Sequence, residues 1–248
     1  MDIYGLIGKS LSHSKSPEHF NNRFKKEGID AEYRLFEIDS PEKLKELINS
    51  TPNLKGLNIT IPYKRSITHL IDISSPETKL TGSVNTLKIS RQGDKCTTVG
   101  FNTDIIGFKN SIEPYIKKQP NIRALILGTG GVAHTASFVL KSLDVPHYFV
   151  SRNPLKGEEL GYNKLTKDIF EKYRLIVNCT PLGMFPNIES SPDLTFEYIN
   201  PENIYFDCVY NPEETQFLKK AKINGAETIS GKQMFEIQAN EAWKIWIG

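Results

Sequence analysis

Long apolar runs and an excess of one charge are missing from this chain of 248 residues. No stretch approaches the roughly 18 consecutive apolar residues of a membrane span, and the first residues show no basic segment followed by an apolar one. Lys and Arg number 31, and Asp and Glu number 29, so the formal net charge is only +2. That balance gives no support for nucleic-acid binding. We therefore expect a cytoplasmic protein with neither a membrane nor a nucleic-acid partner.

Cysteine and histidine are also scarce. Cys96, Cys179 and Cys208 are far apart and odd in number, which fits reduced thiols better than a disulfide framework or a zinc site. The five histidines show no i, i+4 spacing, so no metal site is predicted. What the chain does contain, 38% hydrophobic residues with 17 Gly and 14 Pro, is typical of a globular protein with many tight turns.

The first part of the chain alternates short apolar stretches with helical ones, in a βαβαβ rhythm. The predicted strands of this rhythm are 3–7, 33–38 and 57–61, and two further predicted strands, 83–90 and 95–99, form a hairpin. The predicted helix 17–27 has the clearest boundaries, because Ser16 is a natural N-cap, Pro17 suits a first turn and Gly28 follows the end.

A glycine-rich turn in the middle of the chain follows the apolar run Arg123-Ala124-Leu125-Ile126-Leu127 and opens a helical pattern. The turn consists of Gly128, Thr129, Gly130, Gly131, Val132 and Ala133. Glycines allow the tight turn and let a pyrophosphate approach the backbone, while the N–H groups and the dipole of a helix start hold negative charge. The arrangement predicts a dinucleotide-binding loop, and a purely structural turn is the alternative.

The acidic residue expected on the cofactor ribose about 20 residues after such a loop is absent. Ser151 and Arg152 stand in its place, and Lys156 follows. An arginine suits the 2′-phosphate of NADP through charge-assisted hydrogen bonds, so NADP is the predicted cofactor. A solvated surface arginine in an ordinary turn would fit the same residues.

The second part of the chain repeats the alternation of strand and helix, which indicates a mainly parallel sheet covered by helices on both faces. Its predicted strands are 124–127, 148–150, 175–178, 204–207 and 227–229. We predict an α/β protein of two domains with a cleft between them. A mainly parallel-sheet substrate domain over 1–103 is completed by the C-terminal helix 232–248, and a Rossmann-type dinucleotide-binding domain occupies 104–231.

Polar residues suited to a small-molecule site are dense in the first part. Ser14 and Ser16 stand at a predicted helix start, where two hydroxyls can bind a carboxylate; a capped loop without function is the alternative. Asn58 and Thr60 alternate on one face of a predicted strand, and Lys64 follows at the carboxyl end, the edge where α/β sheets bind ligands. An exposed polar strand face and a surface lysine are the alternatives here.

Together the motifs resemble the shikimate dehydrogenase family over essentially the whole chain. They are, in order, Ser14-Lys15-Ser16-Pro17, Gly56-Leu57-Asn58-Ile59-Thr60-Ile61-Pro62-Tyr63-Lys64, Gly82-Ser83-Val84-Asn85-Thr86, Gly100-Phe101-Asn102-Thr103-Asp104, the glycine loop, Asn178-Cys179-Thr180-Pro181-Leu182-Gly183-Met184, and Gly231-Lys232-Gln233-Met234-Phe235 with Gln238. The resemblance implies NADP-dependent reduction of 3-dehydroshikimate to shikimate, a step towards chorismate and the aromatic amino acids.

The resemblance also implies residue roles, motif by motif. Lys64 and Asp104 match the family's catalytic pair. The substrate positions are Ser14, Ser16, Asn58, Thr60, Asn85, Tyr210 and Gln238. The cofactor positions are the glycine loop with Ser151, Arg152, Asn153, Lys156, Thr180 and Gly231. The chemistry agrees, because hydride transfer to a ketone creates an alkoxide that an ammonium group such as that of Lys64 can stabilise and protonate, with Asp104 orienting the lysine.

Two other functions stay open at this point. One is a quinate/shikimate dehydrogenase that uses NAD or NADP, since the motifs around the ring hydroxyls separate these substrates poorly. The other is a non-catalytic sensor that binds NADPH, although a sensor has no need of Lys64 with Asp104. Both a monomer and a homodimer are compatible with the sequence.

Overall fold

In the computed structural model, which describes residues 1–12, 14–93, 95–155, 157 and 159–248, the chain divides into two units. The first unit comprises Met1–Thr103 and Ala239–Gly248, and the second comprises Asp104–Gln238. Each unit is an α/β structure around one sheet that is mostly or entirely parallel, so the predicted fold class is confirmed.

The first unit is a six-stranded mixed sheet with its helices. Its elements are β1 (Asp2–Gly8), α1 (Ser16–Glu27), β2 (Ala31–Glu37), α2 (Leu44–Ser50), β3 (Leu54–Ile59), α3 (Tyr63–Ser66), β4 (Ile73–Ser74), α4 (Pro76–Thr81), β5 (Thr86–Gln92) and β6 (Lys95–Phe101). The strand order is β2-β1-β3-β5-β6-β4. Strands β1, β2 and β3 are parallel, whereas β5 runs antiparallel to both β3 and β6. The βαβαβ rhythm therefore forms as predicted, and the hairpin predicted from 83–90 and 95–99 forms as β5 and β6.

Helix α1 shows where local sequence signals succeed and where they fail. It ends at Glu27, and the capping residue Gly28 has a φ of 68°, the left-handed conformation that glycine adopts easily. The prediction that Ser16 is the N-cap is wrong, because Lys15 occupies the cap position and Ser16 is the first helical residue. The Ser14 hydroxyl instead accepts a hydrogen bond from the Ser16 N–H at 3.2 Å. The hydroxyl that satisfies this helix start therefore comes from two residues upstream.

One face of the first sheet is covered by a cluster of aromatic side chains. It consists of Tyr4, Phe20, Phe24, Tyr33, Trp243 and Trp246, and Ala239 and Ala242 join it. The indole N–H of Trp246 donates a hydrogen bond to the carbonyl of Leu87 at 3.1 Å. A Cβ atom at Gly56 would collide with the Trp246 ring, so this position on β3 needs glycine. The C-terminal segment Ala239–Gly248 is thus part of the core of the first unit.

The second unit is a six-stranded parallel sheet. Its elements are α5 (Asp104–Lys118), β7 (Ala124–Leu127), α6 (Gly131–Ser142), β8 (His147–Ser151), β9 (Glu159–Gly161), α7 (Lys167–Lys172), β10 (Leu175–Asn178), β11 (Ile204–Asp207), α8 (Gln216–Ile223), β12 (Glu227–Ile229) and α9 (Lys232–Ile247). The strand order is β12-β11-β10-β7-β8-β9. Two separate apolar clusters pack against this sheet, because its central strands are buried along their whole length. Strand β9 was not predicted.

Helix α9 contributes to both units. Met234, near its start, lies in the core of the second unit, whereas Trp243 and Trp246 lie in that of the first. The predicted boundary at residue 231 and the observed boundary after Gln238 differ for this reason. No helix in the described part of the chain is long and apolar enough to cross a membrane.

Candidate active site

A buried cluster of amides and hydroxyls lies on neighbouring strands of the first unit. It consists of Asn58 on β3, Asn85 and Thr86 at the start of β5, and Thr103 just after β6. The Asn85 carbonyl oxygen Oδ1 accepts from the Thr103 N–H at 2.7 Å and from the Thr86 hydroxyl at 3.1 Å. The Asn58 amide nitrogen Nδ2 donates to the Thr86 hydroxyl at 3.2 Å and to the backbone carbonyl of Asn85 at 3.3 Å. These contacts fix the orientation of both amides.

The phenol of Tyr33 holds the other end of Asn58. Its hydroxyl donates to Asn58 Oδ1 at 2.8 Å, and its ring stacks on Phe20 with the centroids 4.6 Å apart. The sequence predicted Asn58 and Asn85 but missed Tyr33, Thr86 and Thr103 as their partners. The two threonines follow the predicted amides in Asn85-Thr86 and Asn102-Thr103, whereas no local signal points to Tyr33.

Ser14, Ser16 and Thr60 lie at the ends of elements in the same unit. Ser16 is buried at the start of α1, next to Ser14. The prediction that Thr60 lies on the strand with Asn58 is wrong, because β3 ends at Ile59. The Thr60 N–H donates to the Ile7 carbonyl at 3.0 Å, and the Thr60 carbonyl accepts from the Tyr63 N–H at 3.0 Å. Thr60 therefore begins the turn that leads into α3.

Lys64 lies on α3, a single helical turn that is anchored at both sides. Tyr63 is buried, and its hydroxyl donates a hydrogen bond to the Ile38 carbonyl at 2.6 Å. The Lys64 carbonyl accepts a hydrogen bond from the Val84 N–H at 2.8 Å. Ile67, which follows the turn, is fully buried. The backbone of Lys64 is therefore fixed by tertiary contacts, while its side chain is partly exposed.

The other predicted substrate and catalytic residues belong to the second unit. Asp104 is the first residue of α5 and is buried, where a helix N-terminus favours a carboxylate. The Tyr210 ring stacks on Phe235 with the centroids 4.4 Å apart. Gln238 lies on α9 beside Gly107 of α5, where an added Cβ would lie 3.2 Å from the Gln238 Cβ.

The glycine loop follows β7, which pairs with β8 on one side and β10 on the other. The strand order changes direction between β7 and β10, the place where open parallel sheets bind ligands. Gly128 has a φ of 102°, which favours glycine. A Cβ at Gly130 would meet no atom of the described residues within 4 Å apart from its neighbours in the chain, and Thr129 and Gly130 are exposed. The loop therefore leaves open backbone at the start of α6, as a bound pyrophosphate requires.

Ser151 ends β8, and Arg152 and Asn153 follow it on the surface. The Ser151 hydroxyl accepts from the Asn153 N–H at 3.3 Å, which closes a short turn that leaves Arg152 exposed. A surface guanidinium at the carboxyl end of this strand fits the 2′-phosphate of NADP. Lys156, the remaining predicted phosphate contact, lies outside the described residues.

Two buried polar residues that the sequence analysis did not single out lie beneath Thr180. Asn178 ends β10 and accepts from the Thr180 N–H and hydroxyl at 3.0 and 2.6 Å. Asp207 ends the adjacent strand β11 and accepts from Asn178 Nδ2 at 3.0 Å. Burial raises the pKa of Asp207 to about 7, against the lowering effect of its hydrogen bonds to Thr215, Val209 and Asn178. Asn178 falls in a quoted motif, whereas Asp207 and its pairing with Asn178 were missing from the sequence analysis.

The described residues contain no group of three or more His, Cys, Asp or Glu side chains that could hold a metal ion. Cys96, Cys179 and Cys208 are free thiols. The sulfur atoms of Cys179 and Cys208 are 3.7 Å apart, and the hydrogen bond with Cys179 together with burial raises the pKa of Cys208.

Comparison with known proteins gives consistent matches along the chain. A family model described as the shikimate dehydrogenase substrate binding domain matches residues 6–87. A shikimate dehydrogenase (NADP(+)) from Clostridium botulinum strain Hall is 38% identical over 253 residues, covering 98% of this chain and 95% of the relative. The crystal structure of shikimate dehydrogenase 1 from Peptoclostridium difficile matches with a TM-score of 0.85 and 33% identity, covering 100% of this chain and 92% of that one.

Two further solved structures carry ligands. Shikimate 5-dehydrogenase from Thermus thermophilus, in complex with NADP(H) and shikimate, matches with a TM-score of 0.82 and 28% identity over 99% of this chain and 93% of that one. Quinate dehydrogenase from Corynebacterium glutamicum, in complex with NAD, matches with a TM-score of 0.83 and 25% identity over 99% and 93%.

Proposed function

Because the chain belongs to the shikimate dehydrogenase family, as its motifs predicted, we propose that it catalyses the NADP-dependent, reversible reduction of 3-dehydroshikimate to shikimate. The observation that carries this proposal is the length of the match, which includes both the unit with the polar cluster and the unit with the glycine loop. The reaction is a step towards chorismate and the aromatic amino acids.

Lys64 is the proposed proton donor. NADPH supplies the hydride that reduces the carbonyl carbon. The Lys64 ammonium donates a proton to the carbonyl oxygen as negative charge develops there, and Asp104 orients the ammonium by accepting a hydrogen bond from it. In the oxidation direction a neutral Lys64 takes the proton from the hydroxyl. The tertiary anchoring of α3 supports this role, because a proton donor needs a fixed backbone.

The substrate is proposed to be held by side chains from several elements. Ser14 and Ser16 bind its carboxylate, and Asn58, Thr60 and Asn85 bind its ring hydroxyls, with Tyr210 and Gln238 from the second unit. The orientation of the two amides supports this assignment. Tyr33 fixes the oxygen end of Asn58, and Thr103 and Thr86 fix the oxygen end of Asn85. Oriented amides discriminate strongly between ligands that have and lack a matching hydroxyl.

The cofactor is proposed to lie on the second unit. The glycine loop binds the pyrophosphate through its N–H groups, and Ser151, Arg152, Asn153 and Lys156 bind the 2′-phosphate. Thr180 and Gly231 complete the site. The open space at Gly130 and the exposed guanidinium of Arg152 support the fit of NADP to these residues.

Steady-state rates with four pairings, shikimate or quinate with NADP or NAD, test the substrate and the cofactor together. We expect the highest kcat/KM for shikimate with NADP. A higher kcat/KM with NAD than with NADP would show that the interpretation of Arg152 is wrong. A preference for quinate would favour the second candidate, a quinate/shikimate dehydrogenase, which the similarity to the Corynebacterium glutamicum enzyme supports. Binding of NADPH without turnover of either acid would favour a sensor.

We also propose that the enzyme works in the cytosol, as a monomer or a homodimer. Three free thiols support a reducing compartment. Light scattering after size-exclusion chromatography would distinguish one chain from two.

A further inference from the structure

The carboxylate of Asp207 is the centre of a buried polar network in the second unit. Its Oδ1 accepts from Asn178 Nδ2 at 3.0 Å and from the Val209 N–H at 2.9 Å, and its Oδ2 accepts from the Thr215 hydroxyl at 2.6 Å. These donors come from β10, from the segment after β11 and from the residue before α8. Asp207 is fully buried, so it cannot itself touch a ligand.

The first arm of this network ends at Thr180. Because Asp207 receives the Nδ2 end of Asn178, the Oδ1 end of that amide faces the N–H and hydroxyl of Thr180. A rotated Asn178 amide would place donors against donors at Thr180 and an oxygen against the carboxylate. Thr180 in turn lies against the glycine loop, where a Cβ on Gly128 would be 3.2 Å from the Thr180 methyl carbon. The position of Thr180 beside the loop therefore depends on Asp207.

The second arm ends beside Gly231 and Tyr210. The Asp207 carboxylate accepts a hydrogen bond from the N–H of Val209, the residue directly before Tyr210. The Val209 carbonyl accepts from the Gly231 N–H at 3.2 Å. A Cβ on Gly231 would lie 2.7 to 2.9 Å from the backbone carbonyl oxygens of residues 207 to 209. The two arms thus reach three proposed cofactor positions, Gly128, Thr180 and Gly231.

We propose that Asp207 is a positioning residue for the cofactor site, which orients Asn178 so that Thr180 is held against the glycine loop and fixes the segment on which Gly231 packs. This inference rests on the proposed binding of NADP at these positions. Asn178 transmits the effect to Thr180. Thr215, by contrast, serves the fold, since its hydroxyl also accepts from the Leu218 N–H and caps α8.

Titration of the full-length protein with NADPH, followed by fluorescence, tests the proposal. Asn178→Ala cuts the arm to Thr180, and we expect the Kd for NADPH to rise about tenfold, the effect of losing about 1.4 kcal/mol of hydrogen bonding at the site. Thr215→Val is the matched control: it removes a hydrogen bond to the same carboxylate and a helix cap, so it should lower Tm while the Kd for NADPH stays within about twofold. Asp207→Asn keeps an oxygen for Asn178 and Val209, and its amide can donate to the Thr215 hydroxyl, so it should bind NADPH much better than Asp207→Ala.

An unchanged Kd in Asn178→Ala, or an equal rise in Thr215→Val, would overturn the proposal and leave the network a purely structural role. If Asn178→Ala does not fold, Asn178→Ser retains a polar group that is too short to reach both Asp207 and Thr180, and the same rise is expected. Wild-type protein that fails to bind NADPH would contradict the proposed function itself, which is a different outcome from these.

Discussion

The polar cluster of the first unit and the glycine loop of the second are built in opposite ways. Around Asn58 and Asn85, side chains bond to other side chains in a buried setting. At Thr129 and Gly130 the chain is exposed. Asn178 and Asp207, which we propose position Thr180 beside this loop, are buried. A ring with several hydroxyls requires oriented amides, whereas a pyrophosphate requires bare N–H groups at a helix start. The two proposed binding sites therefore differ in kind: one would use buried side chains, and the other would use exposed backbone.

The comparison predicts the largest loss of activity on the side of the first unit. Lys64→Ala removes the proposed proton donor, and kcat should fall by roughly 10² to 10⁴, the usual contribution of a general acid. The Kd for shikimate, measured by calorimetry, should change far less. Lys79→Ala, an exposed lysine on α4, is the control and should keep wild-type kcat. Near-normal turnover in Lys64→Ala would remove this lysine from the mechanism.

Two further substitutions distinguish the presence of the Asn58 amide from its orientation by Tyr33. Asn58→Ala should raise the KM for shikimate about tenfold and lower the free energy of unfolding by about 1 to 3 kcal/mol, because the buried Tyr33 hydroxyl loses its acceptor. Tyr33→Phe leaves the amide but removes the hydrogen bond to its oxygen, so a smaller rise in the same KM is expected. If Tyr33→Phe left that KM unchanged, the orientation of Asn58 would not depend on the phenol. The measurements are steady-state kinetics and urea unfolding.

In the second unit, a methyl group added at Gly130 should weaken the binding of NADPH without lowering the stability of the protein. The added Cβ of Gly130→Ala has open space among the described residues around it, so Tm should stay within a degree or two of wild type. The same Cβ lies where a pyrophosphate would approach the backbone, and it should raise the Kd for NADPH about tenfold or more. Gly28→Ala is the reverse control: its φ of 68° predicts a loss of about 1 kcal/mol in stability with unchanged Kd. Equal Kd values for Gly130→Ala and wild type would place the pyrophosphate elsewhere.

The smallest expected effect concerns the pH dependence of stability. Burial raises the pKa of Asp207 to about 7, above the value of about 3.9 in an unfolded chain. The protonated carboxyl therefore contributes stability that is fully present below about pH 4 and is lost as the pH rises through about 7. Between pH 6 and 8 the wild type should lose about 1 kcal/mol more than Asp207→Asn in urea unfolding. Identical losses in the two proteins would contradict the raised pKa of Asp207. Burial lowers the pKa of His147, but this histidine is present in both proteins, so its contribution cancels in the comparison.

The sequence predicted the strands that are long or fully buried and missed what depends on distant partners. Strands β7, β10 and β11 occur where predicted, because short runs rich in apolar residues identify strands buried on both faces. Strands β4 and β9, which were not predicted, have two and three residues and contain no run of apolar residues. The turn that carries Lys64 depends on the contact of Tyr63 with Ile38, and the pairing of Asn178 with Asp207 joins residues 29 apart. Side-chain types at the site were thus readable, whereas the contacts that orient them were not.

The placement of Trp243 and Trp246 in the core of the first unit has a consequence for synthesis of the protein. The ribosome makes residues 1–103 before residues 104–238, but the aromatic cluster of the first unit lacks two of its six aromatic side chains until residues 239–248 emerge. The second unit is one continuous segment of the sequence, and all its strands have been made before then. The first unit would therefore complete its core after the second unit has been made, and its exposed Tyr4, Phe20 and Phe24 would need protection from aggregation in the interval.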